Sequence, residues 1–275
     1  MNKRVIANYS RLTYALFLFP LLLLLSIVLF LYAQHALNAN GYVSIQKDFF
    51  FFLNSRLGQY PHLQFNLTQM GDALIFLSLL SVFIVYAPAI WESLISVSLL
   101  SWVVSSTLKN IFSIPRPAAV FDTSSFIIIG QKLPGHNSLP SGHSITIFTT
   151  LTVLLFAFMP QKFLQRILWV LFFVCTGLTL AFTRVGVGAH YPLDVLVGGT
   201  VGYLCGLSGI FISRKYPIWS WVGNKRYYPV LQLLLLICSV VVIGKIMNDP
   251  LPVYGITLAA LFFSLYKITH VYFKK

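Results

Sequence analysis

The sequence predicts an all-α protein, a polytopic bundle of transmembrane helices. Of its 275 residues, 57% are hydrophobic and only 9% are charged, and the mean hydropathy is +0.82. Several apolar runs are about 20 residues long, which is the length that an α-helix needs to cross the hydrocarbon core of a bilayer. We therefore expect lipid, rather than water, to surround most of this chain.

The apolar runs divide into a six-span core over residues 1–213 and an extension over residues 214–275, which holds a basic internal loop and two further spans. The first run is too long for the apolar part of a signal peptide, and no small-residue cleavage site follows it, so we interpret it as a span. The predicted spans lie at about residues 14–32, 72–86, 91–112, 143–159, 167–182, 193–212, 230–246 and 252–271.

Residues 33–71, between the first two spans, are less hydrophobic and are predicted to form an external segment. Within them, residues 43–57 combine four consecutive phenylalanines with Lys47, Asp48 and Arg56. This mixture favours a helix that lies in the membrane interface. A folded external loop is the alternative.

The net charge of +13 does not predict a nucleic-acid partner, because the lysines and arginines fall at the ends of apolar runs. Eight crossings put both termini on one side, and the positive-inside rule places that side in the cytoplasm. The sequence therefore predicts a multi-pass protein of the cytoplasmic membrane. The cations assigned to internal ends are Lys3, Arg4, Arg11, Lys162, Arg166, Arg214, Lys215, Lys225, Arg226, Lys267, Lys274 and Lys275.

Three short polar clusters interrupt the apolar sequence between residues 109 and 194. They read KNIFSIPRP (109–117), LPSGHS (139–144) and TRVGVGAHYPLD (183–194). The third and fifth spans end at the membrane face where the fourth and sixth begin, so these clusters must share one face. The positive-inside rule places that face outside. The candidate site residues on it are Lys109, Arg116, Ser141, Gly142, His143, Arg184, His190 and Asp194.

The cations in these clusters suit a phosphate ligand. The guanidinium groups of Arg116 and Arg184 match the geometry of phosphate oxygens, and Lys109 adds a compact charge. Three cations can neutralise charge on a transferring phosphoryl group, as a metal ion does elsewhere. Ser141 is a candidate N-cap, and Gly142 lets the helix N-terminus approach an anion.

The histidines suit proton transfer and nucleophilic attack. His190 and Asp194 are four residues apart, so on a helix they share a face, and the carboxylate can hold one ring nitrogen while the other carries a lone pair. That arrangement is typical of a histidine nucleophile. His143 can protonate the leaving oxygen. Pro192 suits the first turn of the sixth span.

The sixth span also carries a row of small residues, Gly198, Gly202 and Gly206, at four-residue steps. Such a row lets a neighbouring helix approach closely. Asp194 and His190 continue the row toward the start of the span, so the contact would brace the end that bears them.

The sequence predicts no metal and no other cofactor. Cys175, Cys205 and Cys238 all lie in apolar runs and match no metal-ligand spacing. We therefore interpret them as buried thiols.

Each site residue also has a structural explanation. A single lysine or arginine at the end of a span is usually a topology anchor, and a single histidine there is usually a hydrogen-bonded structural residue. Asp194 is harder to explain in this way, because a carboxylate one turn into an apolar span is costly unless it is paired. The joint occurrence of these groups on one face favours a functional site.

The motifs KNIFSIPRP, PSGH and RVGVGAHYPLD resemble the three signature motifs of the type 2 phosphatidic acid phosphatase superfamily. Those are Lys, six residues, Arg-Pro; then Pro-Ser-Gly-His; then Ser-Arg, five residues, His, three residues, Asp. Thr183 stands where the family usually has Ser, and we expect a local packing difference there. The resemblance covers about residues 45–212, with weaker similarity around Asn54 and residues 68–72.

This resemblance implies a metal-independent lipid phosphatase with a six-helix membrane core and a site at the outer leaflet. By motif position, His190 would attack phosphorus and form a phosphohistidine, Asp194 would orient it, and His143 would be the general acid. The residues that would bind phosphate are Lys109, Arg116, Ser141, Gly142 and Arg184.

The substrate is predicted to be a membrane lipid, because a site at the ends of spans suits a head group whose tails stay in the bilayer. Lys132 and His136 would suit a second phosphate, which favours a diphosphate lipid such as undecaprenyl diphosphate. Phosphatidic acid, phosphatidylglycerol phosphate and lipid A are the alternatives. A lipid phosphotransferase on the same scaffold stays open, and so do a non-catalytic scaffold and, more distantly, a transporter. A transporter's ionisable groups should lie nearer the bilayer midplane.

Overall fold

The computed structural model describes residues 1–274, and this part of the chain is helical and contains no strand, as the sequence predicts. Lys275, which the sequence assigns to an internal end, lies outside the described residues. Short 3₁₀ turns join some of the helices. The α-helices within residues 1–274 are α1 (Asn2–Ser10), α2 (Leu18–Ala33), α3 (Ala39–Ser44), α4 (Lys47–Leu57), α5 (Pro61–Thr68), α6 (Ala73–Leu79), α7 (Phe83–Tyr86), α8 (Pro88–Phe112), α9 (Pro117–Val120), α10 (Gly142–Ala157), α11 (Phe163–Gly186), α12 (Pro192–Lys215), α13 (Tyr228–Asn248) and α14 (Pro252–Phe273).

Six helical stretches among the described residues are long and apolar enough to cross a membrane, which makes this a multi-pass membrane protein. They correspond to the first, third, fifth, sixth, seventh and eighth predicted spans. The second predicted span, residues 72–86, forms α6, a 3₁₀ turn and α7, and it meets the preceding stretch Pro61–Gly71 at an angle of 79°. The fourth, α10, has only 16 residues. The count of eight crossings therefore stays a prediction.

The short α10 lies at the centre of the bundle. It packs against α8, α11 and α12, and most of its side chains are buried. Its neighbour α12 is 67% buried over its most apolar stretch, whereas the stretch Tyr14–Ala33 is 11% buried. A helix that is surrounded by protein does not have to match the thickness of the bilayer, and this accounts for the length of α10.

The contact between α10 and α12 follows the predicted row of small residues. A Cβ atom added to Gly198 would lie 2.6 Å from the carbonyl oxygen of Ser141, and one added to Gly202 would lie 2.5 Å from that of Ile145. At Gly206 the nearest atom, at 2.6 Å, is Cβ of Thr152. The prediction of a close helix approach is confirmed, and its partner is α10.

The basic N-terminal stretch forms the helix α1, which was not predicted from the sequence. Asn8 of α1 donates its side-chain amide to the carbonyl oxygens of Ala157 and Met159, at 3.0 and 3.2 Å. The hydroxyl of Tyr9 donates to the carbonyl of Val153. The two bonds of Asn8 satisfy carbonyl groups at and just beyond the end of α10, where no further helical amide follows.

The segment between the first two spans contains α3, α4 and α5. The predicted helix at residues 43–57 is confirmed over Lys47–Leu57. Phe50 of α4 is buried against Tyr191, and Asn54 is buried against the end of α11, whereas Phe49 and Phe52 are exposed. A two-sided helix of this kind suits an interface, and its position in the membrane stays a prediction.

The C-terminal extension is a helical hairpin with an apolar core of its own. Helices α13 and α14 pack against each other and against α6. Their buried side chains, such as Val242 and Leu261, cluster with Ile75 and Ile84 of the second predicted span. The larger core lies around α8, α10 and α12.

Candidate active site

The polar clusters meet at one end of the bundle, where α8 and α11 end and α10 and α12 begin. A Cβ atom added to Gly142 would lie 3.2 Å from Nζ of Lys109. The amide of Ser141 donates to the backbone carbonyl of Asp194, at 3.0 Å. Sequence-distant groups are therefore neighbours at one end of the bundle, and the membrane face on which they lie stays a prediction.

Ser141 caps the first turn of α10, as predicted. Its hydroxyl oxygen accepts from the amide of Ser144 at 3.3 Å and from the hydroxyl of Ser144 at 2.9 Å. Because the ammonium of Lys109 lies beside Gly142, a lysine side chain and the positive end of the α10 dipole point their charge at the same place. This end of α10 is a region of positive potential.

His190 lies in the turn between α11 and α12, and its side chain is buried. Gly188 gives the turn its shape, because its φ is +76° and a Cβ there would lie 2.5 Å from the carbonyl oxygen of Ile127. The amide of His190 donates to the carbonyl of Arg184 at 3.2 Å. Pro192 occupies the first turn of α12, as predicted. The premise that His190 is itself helical is wrong.

Asp194 is fully buried and holds a network of hydrogen bonds. One carboxylate oxygen accepts from the hydroxyl of Ser138 at 2.6 Å and from the amide of Tyr191 at 2.9 Å. The other accepts from the hydroxyl of Tyr42 at 2.8 Å. These bonds stabilise a carboxylate that would otherwise be costly to bury.

His190 and Asp194 do pair, although by a turn rather than along a helix. Nδ1 of the imidazole lies 3.4 Å from Oδ2 of Asp194, and Ser138 Oγ is also 3.4 Å from Nδ1. We assign the ring proton to Nδ1 because Nδ1 faces the carboxylate. Nε2 then carries the lone pair.

Two buried arginines have unused donors. Nε of Arg116 donates to Asn137 Oδ1 at 2.7 Å, and Nη1 of Arg184 donates to Thr68 Oγ1 at 2.9 Å. Within residues 1–274, Nη1 of Arg116 and Nε of Arg184 are buried without a hydrogen-bond partner. An unpaired donor on a buried charged group is costly, so this geometry suits an anion that accepts from both.

The cations also control the charge of the histidine. Burial lowers the pKa of His190 well below its ordinary value of 6.5, and the charges of Arg116, Arg184 and Lys109 lower it further. The imidazole is therefore neutral at neutral pH, which is the state that a nucleophile requires.

His143 lies in the first turn of α10 and contacts a segment that precedes α6. A Cβ atom added to Gly71 would lie 2.5 Å from both Cβ and Cδ2 of the His143 side chain. The segment also supplies Thr68, the partner of Arg184. The sequence of this region resembles the phosphatase family only weakly.

Asn54 ties three parts of the site together. Its side-chain nitrogen donates to the carbonyls of Ile127, Val185 and Gly186, and its oxygen accepts from the amide of Ile127 at 2.8 Å. The amide thereby holds the loop and the end of α11 against α4. The sequence marks Asn54 in two ways, as the single Asn of a Phe-rich helix and through the weak family similarity around it.

The two residues predicted to meet a second phosphate lie in the loop before α10. Lys132 and His136 are exposed, and no hydrogen bond or ion pair of their side chains occurs within residues 1–274. The Thr183 hydroxyl donates to the carbonyl of Leu180 in its own helix.

The interpretation of the cysteines as buried is right for Cys205 and wrong for Cys175, which is exposed on α11. Cys238 is half-buried. Residues 1–274 contain no cluster of three or more His, Cys, Asp or Glu side chains that could hold a metal ion.

Comparison with known proteins identifies a family and two similar proteins. The model of the PAP2 superfamily matches residues 89–227, a stretch that includes all three motifs. The lipid A 1-phosphatase of Rhizobium etli is 30% identical over 158 residues, which cover 54% of this chain and 63% of that protein. The lipid A 1-phosphatase of Rhizobium johnstonii is 31% identical over 139 residues, or 46% and 52% of the two chains. This chain thus matches less than two thirds of the length of either relative.

A solved structure is also similar in part. The crystal structure of Aquifex aeolicus LpxE superposes with a TM-score of 0.48 and 25% sequence identity. The superposition covers 61% of this chain and 95% of that one.

Proposed function

This chain belongs to the PAP2 superfamily, and on that premise we propose that it is a lipid phosphatase that works through a phosphohistidine intermediate. It hydrolyses a phosphoric monoester or a diphosphate, without a metal ion. The observation that carries this proposal is the pair of unused guanidinium donors, on Arg116 and Arg184, beside a buried neutral histidine. A phosphate group would accept from both donors while its phosphorus faces the imidazole.

The reaction has two steps. In the first, Nε2 of His190 forms a bond to phosphorus, the bond from phosphorus to the leaving oxygen breaks, and His143 gives that oxygen a proton. In the second, His143 takes a proton from water, the water oxygen bonds to phosphorus, and the bond to nitrogen breaks. Three cations stabilise the charge on the phosphoryl oxygens in both steps.

Asp194 supports the histidine through its hydrogen bonds. Once Nε2 is phosphorylated, the imidazole ring is positive, and the buried carboxylate next to Nδ1 stabilises that charge. Ser138 and Tyr42 hold the carboxylate in place. Burial raises the pKa of Tyr42, so this side chain keeps the proton that it donates.

For the substrate, we propose a lipid with a phosphate head group, with lipid A 1-phosphate as the first candidate because both Rhizobium relatives are named for that reaction. A diphosphate lipid such as undecaprenyl diphosphate is the second candidate. It relies on Lys132 and His136, whose exposure leaves them free to meet a second phosphate. The tail is not specified by the phosphate-binding residues.

Phosphate release from a panel of lipids in detergent would test the substrate. The panel holds lipid A, phosphatidic acid, phosphatidylglycerol phosphate and undecaprenyl diphosphate, each with and without an acceptor lipid. Release from at least one lipid supports a phosphatase, whereas turnover that needs an acceptor supports the phosphotransferase alternative. If Lys132→Ala leaves the ratio of diphosphate to monophosphate hydrolysis unchanged, the second candidate loses its basis.

Trapping the intermediate would test the mechanism. Wild-type enzyme quenched during turnover of a ³²P-labelled lipid should carry an acid-labile, base-stable phosphoryl group, and His190→Ala should carry none. A chelator should not reduce turnover. Full activity of His190→Ala, or loss of activity in chelator, would contradict the proposal.

We also propose that both termini are cytoplasmic and that the site faces outward. Ser124→Cys in the exposed loop and Lys274→Cys at the C-terminal end would be labelled with an impermeant thiol reagent, in a background in which the native cysteines are Ser. Labelling from opposite sides of the membrane is expected. Labelling from the same side would exclude an odd number of crossings between the site and the C-terminus, and with it the proposed topology.

A further inference from the structure

The C-terminal hairpin makes two polar contacts with residues 66–72, at the end of the bundle that holds the site. Nζ of Lys245, in the last turn of α13, lies 3.0 Å from Oδ2 of Asp72. The amide of Val253, in the first turn of α14, donates to Asn66 Oδ1 at 3.0 Å. The ion pairs within residues 1–274 are this one and the pair of His190 with the site carboxylate.

The segment over residues 66–72 touches the site on its other side. Thr68 accepts from Arg184 at 2.9 Å, and Gly71 packs directly on the side chain of His143. The two ties to the hairpin, at the ends of this segment, therefore flank its two contacts with the site. A shift of the segment would move both contacts.

Asp72 lies at the bend in the second predicted span, where Pro61–Gly71 and Ala73–Tyr86 meet at 79°. Its backbone is extended, and its Oδ1 accepts from the amide of Leu74 at 2.9 Å as the N-cap of α6. One carboxylate oxygen thus fixes the start of α6, and the other holds Lys245. The hairpin contact and the bend depend on the same side chain.

We propose that Lys245 and Asp72 are positioning residues. The C-terminal hairpin holds residues 66–72 against the site and so fixes the ring of His143 where it protonates the leaving oxygen. This inference rests on the proposed role of His143 as general acid. A general acid has to be placed within a fraction of an ångström, so a brace that acts through Gly71 affects the rate without touching the substrate.

The leaving group provides the test. Phosphatidic acid expels an alkoxide, which needs a proton, whereas p-nitrophenyl phosphate expels a stable phenolate, which does not. Lys245→Met should lower kcat/KM for phosphatidic acid by roughly tenfold and that for p-nitrophenyl phosphate by less than about twofold. We compare kcat/KM because it reports the steps up to phosphorylation of the histidine, so the later hydrolysis of the phosphohistidine does not affect it.

Asp72→Asn gives a second, independent measurement. The Asn side chain keeps an oxygen for the N-cap of α6 and loses the charge that pairs with Lys245. It should therefore show the same selective loss. If Lys245→Met does not fold, this variant decides the question.

Two lysine variants serve as controls. Lys245→Arg keeps a cation that can reach the carboxylate and should retain wild-type values for both substrates. Lys267→Met removes an ammonium from α14 that lies 5.5 Å from the centre of the Phe263 ring, and it should change neither value.

The outcomes distinguish a failure of the positioning role of Lys245 and Asp72 from a failure of the general-acid role of His143. A loss that is equal for both substrates, or no loss, in Lys245→Met and Asp72→Asn overturns the positioning role. His143→Ala should show a larger selective loss, of about 10²-fold or more, on phosphatidic acid. If His143→Ala shows no selectivity, the general-acid assignment fails and the brace fails with it. If His143→Ala is selective and the two other variants are not, the brace alone is wrong.

Discussion

Two pairs of neighbouring helices in this molecule pack in different ways. Between α10 and α12, the glycines of α12 lie against the backbone of α10, and a Cβ on Gly202 would lie 2.5 Å from a carbonyl oxygen. In the hairpin of α13 and α14, a Cβ on Gly244 or Gly255 would meet no atom within 4 Å. The first pair tolerates no added atom, and it is the pair whose ends carry Ser141 and Asp194. Close backbone packing therefore coincides with the need for fixed geometry.

The same two regions differ in whether their charged side chains are paired. The hairpin cation, Lys245, has a carboxylate at 3.0 Å. In the site, Arg116 and Arg184 retain unused donors, and the carboxylate of Asp194 is already occupied by four groups. Paired charge serves to hold helices together, whereas unpaired buried charge is stabilised by a ligand.

The largest expected effect is on the buried carboxylate. Asp194→Asn places an amide where the hydroxyls of Ser138 and Tyr42 both donate, and it leaves the imidazole unoriented. We expect kcat to fall by about 10²- to 10⁴-fold. Phosphate release under saturating lipid would measure the loss. The matched change in the hairpin turn, Asp249→Asn, alters an exposed residue and should leave kcat unchanged. Similar losses of kcat in both variants would contradict a specific role of the buried carboxylate in catalysis.

The next effect concerns the packing of α10 on α12. Gly202→Ala adds an atom against the backbone of Ile145, so one helix must shift, and the free energy of unfolding should fall by about 1–3 kcal/mol. The midpoint of thermal unfolding in detergent should drop accordingly. An unchanged midpoint would show that the two helices separate without cost.

In the hairpin the same substitution should have the opposite sign. Gly244→Ala meets open space, and alanine has the higher helix propensity, so the unfolding free energy should rise by up to about 1 kcal/mol. The midpoint should rise slightly under the same conditions. A decrease like that of Gly202→Ala would mean that Gly244 packs against a neighbouring helix.

The smallest expected effect is a shift in pH dependence. Because the pKa of His190 is lowered, its neutral form persists below pH 6.5, and the acid limb of kcat/KM should lie there. Arg116→Met removes one of the charges that lower this pKa, so the acid limb should move upward. Lys267→Met, in the hairpin, should not move it. Using one lipid for all three enzymes cancels the ionisation of the substrate.

Local patterns in the sequence predicted much of the fold and most of the candidate site. Apolar runs identified the long helices, four-residue spacing identified the glycine row, and a Pro-Ser-Gly sequence identified the cap of α10. Alternation of span direction placed distant motifs on one face without any knowledge of contacts. These features depend on residues that are near each other in the chain, which is why sequence reasoning reached them.

Other features depend on contacts between distant residues. Tyr42 is 152 residues from Asp194, and Ser138 is 56 residues from it. Nothing in the local composition around Tyr42 marks it as a partner of a buried carboxylate. The sequence also suggested the right pair in His190 and Asp194 for an incomplete reason, since a turn and not a helix brings them together.

The sequence by itself determined that this is a multi-pass helical protein whose cations, two histidines and carboxylate meet at one end of the bundle, because hydropathy and motif spacing are properties of the chain. Tertiary structure decided which donors are left unpaired, how Asp194 is held, and that the bend at Asp72 lies between the hairpin and His143. The physical reason is that burial and hydrogen bonding are set by whatever packs against a residue. In a helical bundle those neighbours come from other helices, far away in the sequence.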